Sequence, residues 1–174
     1  MIETAILGGG CFWCTEAVFS RVRGVTAVVP GYCGGHVEHP DYYSVCTGTT
    51  GHIEVVKVDF DPETIDYATV LEIFFATHDP TTLNRQGADV GTQYASVIFY
   101  QDERQKAVAE QVMKQVQQHL GAPVVTDLRA PATFWPAEVD HHDYYSRNPE
   151  QGYCVAVIEP KLAKFRQRYT EWLK

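Results

Sequence analysis

Cys11 and Cys14 stand three residues apart in the stretch GGGCFWC, directly behind three glycines. Three chemistries fit that spacing: a dithiol redox pair, half of a zinc site, or a lone nucleophile whose CxxC spacing is incidental. The apolar TAIL segment before the glycines reads as a strand, and the residues after Cys11 recur at helical spacing. Cys11 is thus expected at a strand-to-helix turn. Unpaired backbone N–H groups and the positive end of the helix dipole favour thiolate there. The glycines let another segment or a substrate approach closely. Phe12 and Trp13 are adjacent, so they cannot share one helix face. Beside a reactive thiol they suit a small apolar cage for a methyl or thioether group, with core packing as the alternative.

A zinc site is poorly supported. Cys33 and Cys46 do not form a second CxxC, and His36, His39, His141 and His142 do not complete a ligand set. DHHD at 140–143 reads as a solvated turn, so no metal is expected.

Glu54 interrupts the apolar run HIEVVKV. Period-two alternation leaves it facing either water or the core. On the core side, desolvation raises its pKa and makes it a proton donor near neutrality. Tyr42, Tyr43, Asp89 and Tyr94 lie in two irregular segments and can supply hydrogen bonds around a polar oxygen. A thiolate, an aromatic cage, a protonated carboxyl group and phenols together suit a thioether that carries a polar oxygen. The thiolate attacks sulfur, the acid protonates the oxygen, and Cys11 is left as a sulfenic acid. A second cysteine condenses with it to form a disulfide.

The elements that must position these groups follow from periodicity. Strands are expected at TAIL, VTAVVPGY, HIEVVKVDF and YASVIFY, with helices from Cys11 to Gly24 and over TIDYATVLEIFFATH. The order β-α-β-β-α-β predicts an α+β fold, a two-layer sandwich with a ferredoxin-like core. ERQKAVAEQVMKQVQQHLG adds a polar amphipathic helix and PVVTDL an outer strand. An irregular stretch leads to a terminal helix over PKLAKFRQRYTEWLK. Segments 31–52 and 78–94 resist regular structure, and loops of that length in a compact domain are usually functional. One domain spanning 1–174 is expected, with the segment from about 130 to 174 wrapping the core.

A net charge of −8 and a pI near 5.3 argue against nucleic acid. No apolar run approaches the roughly 20 residues of a membrane span. The N-terminus shows no basic region followed by an apolar one, so a cytoplasmic protein is expected. Five cysteines, an odd number, fit a disulfide framework poorly.

GGCFWCTEAVF, GYCGG, YYSVCTGTTGHIEVV, HDPTTLNRQGADVGTQY and the late GYC together resemble the peptide-methionine (S)-S-oxide reductases, the A class of methionine sulfoxide reductases. The likeness covers nearly the full chain, and its motifs are long and specific. It implies a ferredoxin-like α/β domain that repairs the S epimer of methionine sulfoxide, free or in proteins. It implies no cofactor, with thioredoxin as reductant, and a monomer is expected. By the same resemblance Cys11 is the nucleophile, Phe12 and Trp13 contact the substrate methyl, and Glu54 protonates the sulfoxide oxygen. Tyr42 and Tyr94 are hydrogen-bonding phenols, and Asp89 lines the pocket. Cys154 matches a recycling cysteine, with Cys14 as the alternative. Many members carry Gly at the place of Cys14 and Arg at that of Ala95, and Cys33 stands where cysteine is often absent. A general CxxC thiol–disulfide oxidoreductase and a zinc-stabilised binding module are the competing functions.

Overall fold

The computed structural model describes residues 1–174. Its centre is four strands: β1 (Glu3–Gly9), β2 (Val25–Cys33), β3 (Ile53–Phe60) and a fourth at Ser96–Phe99. They lie in the order fourth, first, third, second, each antiparallel to its neighbour. Helix α1 (Phe12–Phe19) links β1 to β2. After the short α2 (Tyr42–Cys46), helix α3 (Tyr67–Ala76) links β3 to the fourth strand. That is the ferredoxin-like arrangement expected from the element order.

The sheet face is set by alternation along β3. Val56, Val58 and Phe60 point into the main core with α1 and α3, while Ile53 and Val55 join a smaller cluster on the opposite face. Glu54 is in phase with Val56 and therefore points to the helix side. Ala5 and Leu7 of β1 share that side, whereas Ile6 and Cys33 belong to the opposite cluster. Helix α3 starts where Asp66 Oδ1 accepts the Thr69 N–H at 2.9 Å, and it buries Val70, Leu71, Ile73, Phe74 and Phe75.

Two-residue strands β4 (Arg85–Gln86) and β5 (Asp89–Val90) form a small hairpin inside one of the irregular segments. The fourth core strand, Ser96–Phe99, is accordingly β6. Helix α4 (Glu103–His119) follows, and β7 (Asp127–Arg129) then pairs parallel to β6. The outer strand is thus shorter and later than PVVTDL suggests. At the other edge β8 (Trp135–Pro136) pairs with β2.

The last third is more ordered than its polar sequence implies. It holds α5 (Tyr144–Arg147), a π-helical stretch at Cys154–Ile158, and α6 (Glu159–Arg168), whose Leu162 and Phe165 reach the main core. The terminal helix stops at Arg168 rather than running to the end. The chain instead turns back to residues 21–23: Arg23 donates to the Trp172 carbonyl at 2.7 Å, and Lys174 donates to the Arg21 carbonyl at 3.1 Å. Likewise α1 ends at Phe19, not near Gly24, because Val22 is taken into an antiparallel bridge with Leu173.

Candidate active site

Cys11 caps α1, with an extended backbone and its carbonyl accepting the Cys14 N–H at 3.0 Å. The turn that delivers it depends on Gly10, whose φ of +95° is left-handed. A Cβ there would lie 2.7 Å from the Gln86 side chain. Gly8 serves packing instead: a Cβ would lie 2.9 Å from the Glu54 carbonyl. The glycines thus bring strand, turn and acid together.

Glu54 is buried and sits beneath this turn. The Phe12 N–H donates to its Oε1 at 3.1 Å, while Oε2, also buried, has no hydrogen-bond partner. Burial pushes the carboxyl up to about 8, against the lowering effect of the Phe12 N–H. At neutral pH the group is therefore mainly a carboxylic acid.

Cys11 and Cys14 titrate as a pair. Burial raises the Cys11 thiol well above its ordinary value, and the hydrogen bond with Cys14 adds to this. That hydrogen bond lowers Cys14 to about 7, against its own burial and with help from Lys161. The helix start expected to favour thiolate at Cys11 is present, yet burial outweighs it. The more acidic sulfur is that of Cys14.

Phe12 is fully buried against Tyr32, with ring centroids 5.7 Å apart, so of the aromatic pair it is the core-packed member. Trp13 is half-buried. It stacks on Tyr144 at 3.8 Å and 5°, meets Tyr153 edge-on at 5.8 Å, and donates its indole N–H to His141 Nδ1 at 3.1 Å. His141 also faces the Tyr42 ring at 4.5 Å and Phe12 at 5.3 Å. It thus joins an aromatic cluster instead of a solvated turn. No group of three or more His, Cys, Asp or Glu side chains is arranged to hold a metal ion.

Tyr42 opens α2, so this part of 31–52 is helical. Its backbone N–H donates to Glu138 Oε2 at 2.9 Å, and the Tyr32 hydroxyl donates to Glu138 Oε1, also at 2.9 Å. The phenols of Tyr42 and Tyr94 are both raised, first by burial and then by the charges of Glu54, Cys11 and Cys46. Both remain hydroxyl donors at neutral pH. Asp89, in the β4–β5 hairpin, accepts the Tyr153 hydroxyl at 2.5 Å, and that oxygen lies 3.4 Å from Cys14 Sγ.

All five cysteines are free. Cys154 is fully buried in the π-helical stretch. Cys33 is buried on the sheet face away from Cys11, and burial pushes its thiol up to about 11. Sequence reasoning missed Tyr153, Glu138 and His141. Tyr153 carried a signal, standing beside a cysteine already singled out. Glu138 and His141 carried none, because their contacts reach residues roughly 100 positions away.

A family model described as peptide methionine sulfoxide reductase matches residues 3–173. A Chromobacterium violaceum protein named peptide methionine sulfoxide reductase MsrA is 57% identical over 175 residues, covering 99% of each chain. The reduced form of Mxr1 from Saccharomyces cerevisiae superimposes with a TM-score of 0.79 at 31% identity, covering 88% of this chain and 89% of that one. Mxr1 in complex with Trx2 is similar in fold, with a TM-score of 0.56 at 21% identity over 82% of this chain and 84% of that one.

Proposed function

The chain belongs to the peptide methionine sulfoxide reductase family, and from that premise we propose how it reduces methionine sulfoxide: Cys11 attacks the sulfoxide sulfur while Glu54 protonates the oxygen. The observation that carries this reading is the unpartnered Oε2 of a buried, proton-retaining Glu54 beneath the Cys11 turn. Cys14, the more acidic of the two thiols, takes the Cys11 proton, which leaves Cys11 as the thiolate at the moment of attack. Tyr42 and Tyr94 donate to the sulfoxide oxygen, and Trp13 bounds the methyl group, while Phe12, expected to share that role, packs in the core against Tyr32. Asp89 holds Tyr153 at the pocket edge.

The S–O bond breaks and methionine departs. The oxygen passes to Cys11 Sγ as the transient S–S bond to the methionine sulfur also breaks, so the substrate sulfur is reduced by two electrons and Cys11 is oxidised by two, to a sulfenic acid that carries the Glu54 proton. The Cys14 S–H condenses with this group, releasing water and forming a Cys11–Cys14 disulfide. The Cys14-to-Cys11 turn bond keeps the two residues within the roughly 7 Å that a disulfide requires. Cys154, the thiol favoured by the family likeness, must first be uncovered from the core. Thioredoxin reduces the disulfide, the substrate is the S epimer, and residues 1–174 act as one cytoplasmic catalytic unit. No helix is long and apolar enough to cross a membrane.

Single turnover without reductant tests the reading. The S epimer of N-acetyl methionine sulfoxide is expected to yield one equivalent of thioether and a Cys11–Cys14 crosslink by peptide mass mapping. A Cys11–Cys154 crosslink would transfer the resolving role to Cys154. Turnover in Cys11→Ser would overturn the nucleophile.

A further inference from the structure

A groove of about 630 Å³ leads away from Cys11 between the turn after α3 and one face of α6. Glu54, Trp13, Tyr42 and Tyr94 do not line it; of the reacting groups it shares only Cys11, with Asp89 and Tyr153 beside it. Its size fits a few residues of extended chain.

The α6 wall is cationic. Lys161, Lys164 and Arg168 all line the groove, at a spacing that places them on one helix face. None takes part in either ion pair of the protein, which are Arg104–Glu3 and Arg129–Asp127. The two carboxylates lining the groove are already engaged. Asp79 accepts from the Thr81 N–H at 2.9 Å and from its hydroxyl, and Asp89 accepts from Tyr153. Three cations against two carboxylates leave the groove lining with a net charge of about +1, on a chain whose net charge is −8.

We propose that this groove binds the polypeptide flanking a methionine sulfoxide, and that Lys161, Lys164 and Arg168 select acidic side chains a few residues away. The proposal rests on the reductase reading above and adds a substrate preference to it. Lys164 and Arg168 act on encounter and on KM, because they lie outside the group of residues that acts on the sulfoxide, whereas Lys161 also bears on Cys14.

Three peptides test it, identical except for Glu, Gln or Lys at positions two to four residues from the sulfoxide. At low ionic strength kcat/KM is expected to favour the Glu peptide over the Gln peptide by about 3- to 10-fold, mostly through KM, and to converge as salt is added. Lys164→Glu is expected to abolish or reverse the preference. Lys114→Glu, on the exposed surface of α4, makes the same change in net charge and is expected to leave the preference in place. Equal rates for the three peptides, or equal effects of the two substitutions, would overturn the proposal. N-acetyl methionine sulfoxide has no flanking chain. Its turnover therefore reports the reductase reading separately.

Discussion

Glu54 decides the chemistry at the scale of single residues, and its protonation can be tested in two ways. Glu54→Gln removes the acid, and general acid catalysis is typically worth about 10² to 10⁴-fold. The first-turnover rate should fall in that range, read by rapid quench, with the fold intact by circular dichroism. Wild-type reduction should also decline as pH rises through about 8, where the acid ionises. Stability falls in the same direction, but over a lower pH range. The folded carboxyl keeps its proton to about 8, whereas the unfolded one loses it near 4.5. Between those values the unfolded state binds fewer protons, so wild-type stability drops with rising pH, by at most about 1.4 kcal/mol per unit. Glu54→Gln lacks this loss. Its denaturation midpoint should exceed that of the wild type by a margin that widens from pH 5 to 8, and a constant margin would contradict a buried neutral acid. His141→Phe keeps an aromatic ring among Phe12, Trp13 and Tyr42 but removes the acceptor of the Trp13 indole. Initial-rate kinetics should show a higher KM with kcat changed less, because the methyl wall loosens while the acid and thiol stay in place.

The decisive element is the join between β1 and α1. Gly10→Ala forces a side chain into a left-handed turn and against Gln86. A left-handed non-glycine residue costs roughly 1–2 kcal/mol, to which the contact adds. The urea midpoint should fall, and turnover with it, since the same turn sets Cys11 over Glu54. Much of this element was legible beforehand. GGGC after an apolar strand announces a tight entry into a helix, and the side of β3 that Glu54 faces follows once Val56, Val58 and Phe60 are known to face the core. The end of α1 was not legible. Val22 continues the helical spacing, and only its bridge to Leu173 takes it out of the helix.

Across the molecule, the C-terminus is fastened to the segment between α1 and β2. Removing residues 170–174 deletes the Arg23–Trp172 and Lys174–Arg21 backbone bonds and uncovers Val22, which is fully buried. A loss of about 2–4 kcal/mol is expected from two hydrogen bonds and one exposed valine, read as a lower thermal midpoint. The active site lies at the other end of α1, so first-turnover activity at low temperature should survive the truncation. Loss of both together would show that the terminal fastening also holds the catalytic turn.

Local order along the chain determined the element sequence, the thiol at a helix start and the set of groups suited to a sulfoxide. These depend on periodicity and residue type, which act over a few positions. The protonation of Glu54, the sharing of a proton between Cys11 and Cys14, the seating of Trp13 against His141 and the cationic wall of α6 required the tertiary structure. Each arises from burial or from contacts between distant segments. Desolvation and electric field are properties of the surroundings, and no residue carries them alone.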